Sequence, residues 1–173
     1  LGVMEEEGNL LGGASGGALS ASHAQTFFTV LRGHLDFAKH WSLIGKYTHG
    51  LTFADDYEKS LLSNFSQIES NSWGMGLAGR HVFSRGDQLG FGVSQPLRTI
   101  DGDVEVSTPY WDPMRARVGF NSTRTSLVPN GLETSLEFFY RKPIGKRAQF
   151  ITYMVLRDEP LHRAERGGQA SVI

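Results

Sequence analysis

From Thr26 onward, apolar and polar residues alternate with a period of two, the mark of β-strands with two different faces. In Phe27–Phe37 one face reads Phe27, Thr29, Leu31, Gly33, Leu35, Phe37, and the other Phe28, Val30, Arg32, His34, Asp36. Trp41–Phe53 repeats this, with Trp41, Leu43, Tyr47, Leu51 and Phe53 opposed to Ser42, Lys46, Thr48 and Thr52. Ala38-Lys39-His40 between them is short enough for a hairpin. Trp73–Phe83 sets Trp73, Met75, Leu77 and Phe83 against Gly74, Gly76, Ala78 and Arg80. Ser84-Arg85-Gly86-Asp87 is a turn signal. Leu89, Phe91, Val93, Gln95 and Leu97 then oppose Gln88, Gly90, Gly92, Ser94 and Arg98. Three further alternating segments cover Arg115–Asn121, Leu132–Arg141 and Arg147–Leu156, with Pro129-Asn130-Gly131 and Lys142-Pro143-Ile144-Gly145 as turns.

Between these segments, 54–71 is a polar loop with one helical turn expected around Leu61 and Leu62. A second loop, Asp101 to Pro113, is expected to hold a short strand at Val104 to Ser107. Residues 1–22 read as a Gly/Ser-rich lead-in segment, with 12–17 as a linker or a loop between short strands. Residues 23–173 read as one domain. The predicted fold is all-β, an antiparallel meander closing into a barrel of about eight strands.

Two barrels fit the pattern. A soluble one buries the apolar face, and a membrane one turns it to lipid. The polar face favours the second, being rich in small residues such as Gly74, Gly76, Gly90, Gly92, Ser94 and Ser135, which suit a narrow, crowded lumen. Arg80, Arg98, Arg117, Glu133 and Glu137 are the candidates for ion pairs within that lumen. Aromatic residues stand at both ends of the apolar face: Phe27 and Phe37, Trp41 and Phe53, Trp73 and Phe83. Ten tilted strand residues rise roughly 25 Å, the height of an outer-membrane apolar band between its aromatic girdles. In the soluble alternative the same aromatic residues belong to a core.

Composition narrows the chemistry. Among 173 residues, 17 Lys and Arg balance 18 Asp and Glu, so a strongly basic nucleic-acid binder is not expected. The absence of Cys excludes disulfides, zinc–thiolate sites and cysteine nucleophiles. Glycine, at 21 residues, exceeds the usual share of about 7% and fits tight turns or a crowded interior. Glu5, Glu6 and Glu7 stand where a signal peptide would be basic, and the initial Leu1 suggests a fragment or a mature form. The histidines His23, His34, His40, His49, His81 and His162 show no metal-ligand spacing, and no nucleophile motif or Ser-His-Asp arrangement is legible. No catalytic residue, metal or cofactor is expected.

Several phrases nevertheless resemble a known family. Gly90-Phe91-Gly92-Val93-Ser94-Gln95-Pro96-Leu97-Arg98 resembles a segment in the C-terminal, autotransporter-like β domain of proteobacterial subtilisin-like serine proteases (family S8). Leu127-Val128-Pro129-Asn130-Gly131-Leu132-Glu133 is similar to a turn of the same region. Gly8-Asn9-Leu10-Leu11-Gly12 with Gly17-Ala18-Leu19-Ser20, Trp41-Ser42-Leu43 and Gly86-Asp87-Gln88-Leu89-Gly90 also look similar. The resemblance implies a non-catalytic C-terminal module of a secreted Gram-negative protease. It would anchor or translocate an upstream protease domain at the outer membrane or cell surface. The alternative is a soluble β-barrel or sandwich that binds a ligand or the protease domain.

Overall fold

The computed structural model describes residues 1–10, 13–14, 17–19, 21–145, 147–164 and 169–172. Its strands are β1 (Gly2–Glu7), β2 (Asn9–Leu10), β3 (Gly13–Ala14), β4 (His23–Ala38), β5 (Trp41–Ala54), β6 (Leu62–Ser63), β7 (Ile68–Arg80), β8 (Gln88–Asp101), β9 (Asp103–Asp112), β10 (Arg117–Ser126), β11 (Thr134–Ile144), β12 (Ala148–Asp158) and β13 (Gln169–Val172). Gly17–Leu19 and Pro160–His162 form short 3-10 turns, and no α-helix occurs among the described residues. One sheet has the order β1-β4-β5-β7-β8-β11-β12-β13, a second β10-β9-β6, and a third β2-β3. The fold is all-β and antiparallel, and no sheet closes on itself among the described residues.

The alternating segments from Phe27 to Leu97 and from Leu132 to Leu156 all become long strands of the first sheet. Arg115–Asn121 does not join them. It lies in β10, which pairs with β9 from Arg117 opposite Asp112 to Ser126 opposite Asp103. The two strands satisfy one another's backbone groups, so the first sheet continues from β8 directly to β11. The short strand expected at Val104 to Ser107 belongs to the longer β9. Leu61 and Leu62 form no helical turn. Leu62 and Ser63 instead pair with Val106 and Glu105.

The lead-in segment contributes a strand as well. Gly2–Glu7 pairs with β4, from Gly2 opposite Phe28 to Glu7 opposite His23. Within the linker of 12–17, Gly13–Ala14 pairs with Asn9–Leu10, while Gly12, Ser15 and Gly16 lie outside the described residues. Leu11 and Ser20, which share in the resemblance, lie outside them too.

The chain divides into two compact units, each assembled from distant segments. The first comprises Leu1–Thr29, His49–Ser70 and Thr99–Val128. Its buried apolar residues are few: Ala21, Ala24, Ile68 and Val104, joined by buried Thr26, Thr52 and Ser70. The Thr26 and Thr52 hydroxyls share a 2.8 Å hydrogen bond, which allows two polar side chains to be buried together. The corner between β8 and β9 needs glycine, because Gly102 has φ 141° and a Cβ there would lie 3.2 Å from Ile68 Cγ1.

The second unit comprises Val30–Thr48, Asn71–Arg98 and Pro129–Ile173. The turn between β7 and β8 is organised by Asp87, whose side chain is fully buried. Its carboxylate accepts the N–H groups of Val82 at 2.7 Å, Phe83 at 3.0 Å and Ser84 at 2.7 Å, and the Tyr140 hydroxyl at 3.2 Å. Burial raises the pKa of this carboxyl, but the bonds from Phe83, Ser84, Val82 and Tyr140 outweigh it and hold the group below its ordinary value. The sequence signal Ser84-Arg85-Gly86-Asp87 is thus a turn tied by its last side chain.

Candidate functional site

At several places adjacent strand residues differ in burial. In the first unit Thr52 is fully buried while Phe53 is half exposed, and Thr26 is buried while Phe27 is exposed. In the second unit Ser135 is buried beside an exposed Leu136, and Glu133 beside an exposed Leu132. Leu31, Leu35, Phe37, Met75, Phe91 and Phe150 are exposed to half or more of their surface. At these positions polar side chains are buried and large apolar ones face out, while Ile68, Leu89 and Val104 are buried and residues 31–40 are exposed on both faces.

The apolar face carries the aromatic candidates. Phe27 and Phe53 meet edge to face, with centroids 6.2 Å apart. Phe83 packs 5.9 Å from Tyr140, which in turn lies 6.5 Å from Phe150. Tyr140 and Phe150 were legible only as members of alternating strands, and their grouping with Phe83 comes from the β11–β12 hairpin and the β7–β8 turn. Phe37 is exposed. Trp41 and Trp73 are half-buried. Trp41 fills the space beside Gly79, where a Cβ would lie 2.9 Å from its ring. The Trp73 indole N–H donates to Gln95 Oε1 at 3.1 Å.

On the polar face of the second unit, the ladder sets Ser94, Ser135 and Arg157 in one row and Gly92, Glu137 and Val155 in the next. A cavity of about 530 Å³ lies over this face, lined by Lys46, Ser72, Ser94, Glu133, Ser135, Glu137 and Arg157 among others. Glu137 accepts a 2.6 Å hydrogen bond from the Tyr153 hydroxyl. Glu133 Oε1 lies 3.9 Å from Arg157 Nε, and Glu133 Oε2 accepts the Leu161 N–H at 2.7 Å.

Of the five lumen candidates, the cavity brings together Glu133 and Glu137. Their charged neighbours are Arg157 and Lys46, which alternation alone did not single out. Arg98 bonds backbone, its Nε donating to Gly131 O at 3.1 Å and its Nη2 to Pro129 O at 3.2 Å. Arg80 is exposed at the end of β7, and Arg117 is exposed on β10 of the first unit. Among the described residues, no ion pair joins Arg80, Arg98 or Arg117 to Glu133 or Glu137.

Beside the cavity is a polar cluster that the sequence did not reveal. His162 is buried. Its Nδ1 accepts the Glu133 N–H at 2.8 Å, and its Nε2 stands 3.0 Å from Leu97 O. An N–H donor at one nitrogen and a carbonyl at the other require a neutral ring with its proton on Nε2. The Gly131 N–H donates to His162 O at 2.9 Å, and Leu132 N–H to Glu159 Oε2 at 2.6 Å. Glu159, Leu161 and His162 all have positive φ, between 47° and 62°. The surrounding bonds hold this strained turn in place.

Two separate sequence segments, Ser94–Arg98 and Pro129–Glu133, meet here. Ser94–Arg98 supplies Ser94 and the Leu97 carbonyl, together with Arg98 and a Gln95 amide that donates to Asn71 Oδ1 at 2.8 Å. Pro129–Glu133 supplies the carbonyls that Arg98 holds and the carboxylate beside Arg157.

The His40 and His81 rings stand 5.5 Å apart, but His81 Nδ1 accepts the Gly86 N–H at 2.7 Å, so its lone pair is engaged within the turn. Among the described residues no group of three or more His, Asp or Glu could hold a metal ion. No family model matches the chain, and no curated protein or solved structure matches it either.

Proposed function

We propose that this chain is a non-catalytic, membrane-spanning β module whose long strands close into a barrel in a Gram-negative outer membrane. In that setting it anchors or translocates an upstream serine protease domain. The observation that carries the membrane reading is the outward apolar face. Phe27, Phe53, Met75, Phe91 and Leu136 are exposed, while Thr26, Thr52, Ser70, Glu133 and Ser135 are buried. Lipid satisfies the first set, and a polar interior satisfies the second. The attachment to a protease is supported by the sequence resemblance, chiefly that of Gly90–Arg98.

Size-exclusion chromatography and far-UV circular dichroism, with and without detergent, test the membrane part. The expected result is aggregation in plain buffer. In detergent it gives way to a β-rich species whose electrophoretic mobility changes on boiling. A monodisperse β-rich monomer in plain buffer would overturn the reading and return the apolar face to a soluble core. The protease part is tested by joining the chain to a reporter domain at its N-terminal side. Surface display of the reporter in a Gram-negative cell is expected, and retention of the reporter in the periplasm would refute it.

A further inference from the structure

The β9–β10 hairpin has two unlike ends. At its base Val104 is buried, Arg124 Nε lies 3.5 Å from Asp103 Oδ2, and β6 pairs with Val106 and Glu105. Toward its tip β9 has β10 as its one sheet neighbour among the described residues. There the register gathers apolar side chains on one face and mixes polar ones with Tyr110, opposite Gly119, on the other. Trp111 is directly opposite Val118 and Pro109 opposite Phe120 on one face, while Asp112 is opposite Arg117 and Thr108 opposite Asn121 on the other. The apolar side is open: Trp111 is 61% exposed, Phe120 59%, and Met114, in the turn, 93%.

We propose that this tip is an interfacial anchor that sinks into the headgroup region of a phospholipid bilayer. The inference rests on the membrane reading above and adds a second contact to it. Two features favour lipid over a protein partner. The exposed Trp111, with Tyr110 on the other face, is the kind of amphipathic ring that membrane interfaces favour at headgroup level. Arg115 and Arg117 at the tip outnumber Asp112, which Arg115 approaches at 3.7 Å, leaving one positive charge for anionic headgroups. A two-stranded ribbon with an uncovered apolar face is also marginal in water, and a covering surface stabilises it.

The test uses the full chain folded into phosphatidylcholine–phosphatidylglycerol vesicles, with the lipids brominated near the headgroup or left plain. Subtracting the spectrum of Trp111→Phe isolates the Trp111 emission. The expected result is a blue-shifted Trp111 component that is lost in brominated lipid and spared by aqueous iodide. A Trp111 component quenched by iodide and blind to bromine overturns the inference. Heat-modifiable migration of the same sample would then leave the barrel reading standing. If the chain instead folds in plain buffer, the barrel reading fails by itself. Flotation with vesicles that is lost in Trp111→Ser and Met114→Ser would still uphold the anchor, and no flotation would overturn it. A dimer that disappears in Trp111→Ser would overturn it as well, by showing that a second copy covers the patch.

Discussion

The Phe139 ring occupies the space that a side chain at Gly90, its directly opposed partner in the β8–β11 ladder, would need. A Cβ at position 90 would lie 2.0 Å from Phe139 Cε1. The same arrangement recurs at two other directly opposed pairs, Phe28 with Gly2 and Tyr110 with Gly119. Each glycine leaves bare backbone in a strand, and the aromatic ring across the ladder covers it. Gly90→Ala is therefore expected to destabilise the fold by about 1–3 kcal/mol through overpacking. Adding Phe139→Ala should remove most of that penalty, since nothing is left to collide with the methyl group. A double-mutant cycle by denaturant titration checks this, and strictly additive effects would refute the pairing.

Met75→Arg separates the two environments open to the apolar face. Met75 is half exposed among Leu43, Leu77, Phe91 and Leu136. At the middle of a bilayer an Arg there costs about 2–4 kcal/mol. On a surface facing water it would change stability by only about 0.5 kcal/mol. Unfolding titrations of the chain folded in lipid measure the difference directly.

The Asp87 turn should respond to acid. Its carboxyl sits below the ordinary Asp value of about 3.9 because of the N–H groups and hydroxyl it accepts, despite its burial. A depressed folded pKa contributes stability above the unfolded value, and that contribution is lost as pH falls through the folded one. The amide resonances of Val82, Phe83 and Ser84 should hold their positions at pH 5 and above and move together below about pH 4. Asp87→Asn should abolish this joint acid transition and loosen the turn at neutral pH.

His162 ties three segments with two hydrogen bonds. Removing its ring in His162→Ala leaves the Glu133 N–H and the Leu97 carbonyl without their partners, at a cost of about 1–3 kcal/mol for each buried group left unsatisfied. His162→Gln keeps a donor and an acceptor and should recover part of the loss. Proteolysis is expected to cut first within 159–164 in His162→Ala. Protection equal to that of the unaltered chain would show that the turn does not depend on the ring.

The strands were largely legible. Phe27 to Phe37, Trp41 to Phe53, Leu132 to Arg141 and Arg147 to Leu156 each alternate, and side chains on successive residues of an extended chain must point to opposite faces. The turns at Ala38-Lys39-His40 and Ser84–Asp87 carried their own signals. The bounds of the strand at Gly2–Glu7 were not legible because three successive Glu hide its alternation, and pairing with β4 is what makes it a strand. Among the site candidates, Glu133 and Glu137 reached the cavity because they stand two residues to either side of Ser135, on its face. Arg98, on a polar face too, was drawn to the carbonyls of Pro129 and Gly131.

The sequence by itself determined which residues share a face, where the chain turns, and that the chain offers no thiol. These are local properties, written in a period of two and in composition. The tertiary structure decided which strand lies beside which, and so placed β11 next to β8 while β9 and β10 paired with each other. It also decided which face is buried. Backbone hydrogen bonds between distant segments select the partners, and alternation reads the same from either side of a sheet. The burial of Thr52 beside an exposed Phe53 therefore had to come from the assembled sheet. So did the meeting of His162 with Glu133 and Leu97, residues 29 and 65 positions away along the chain.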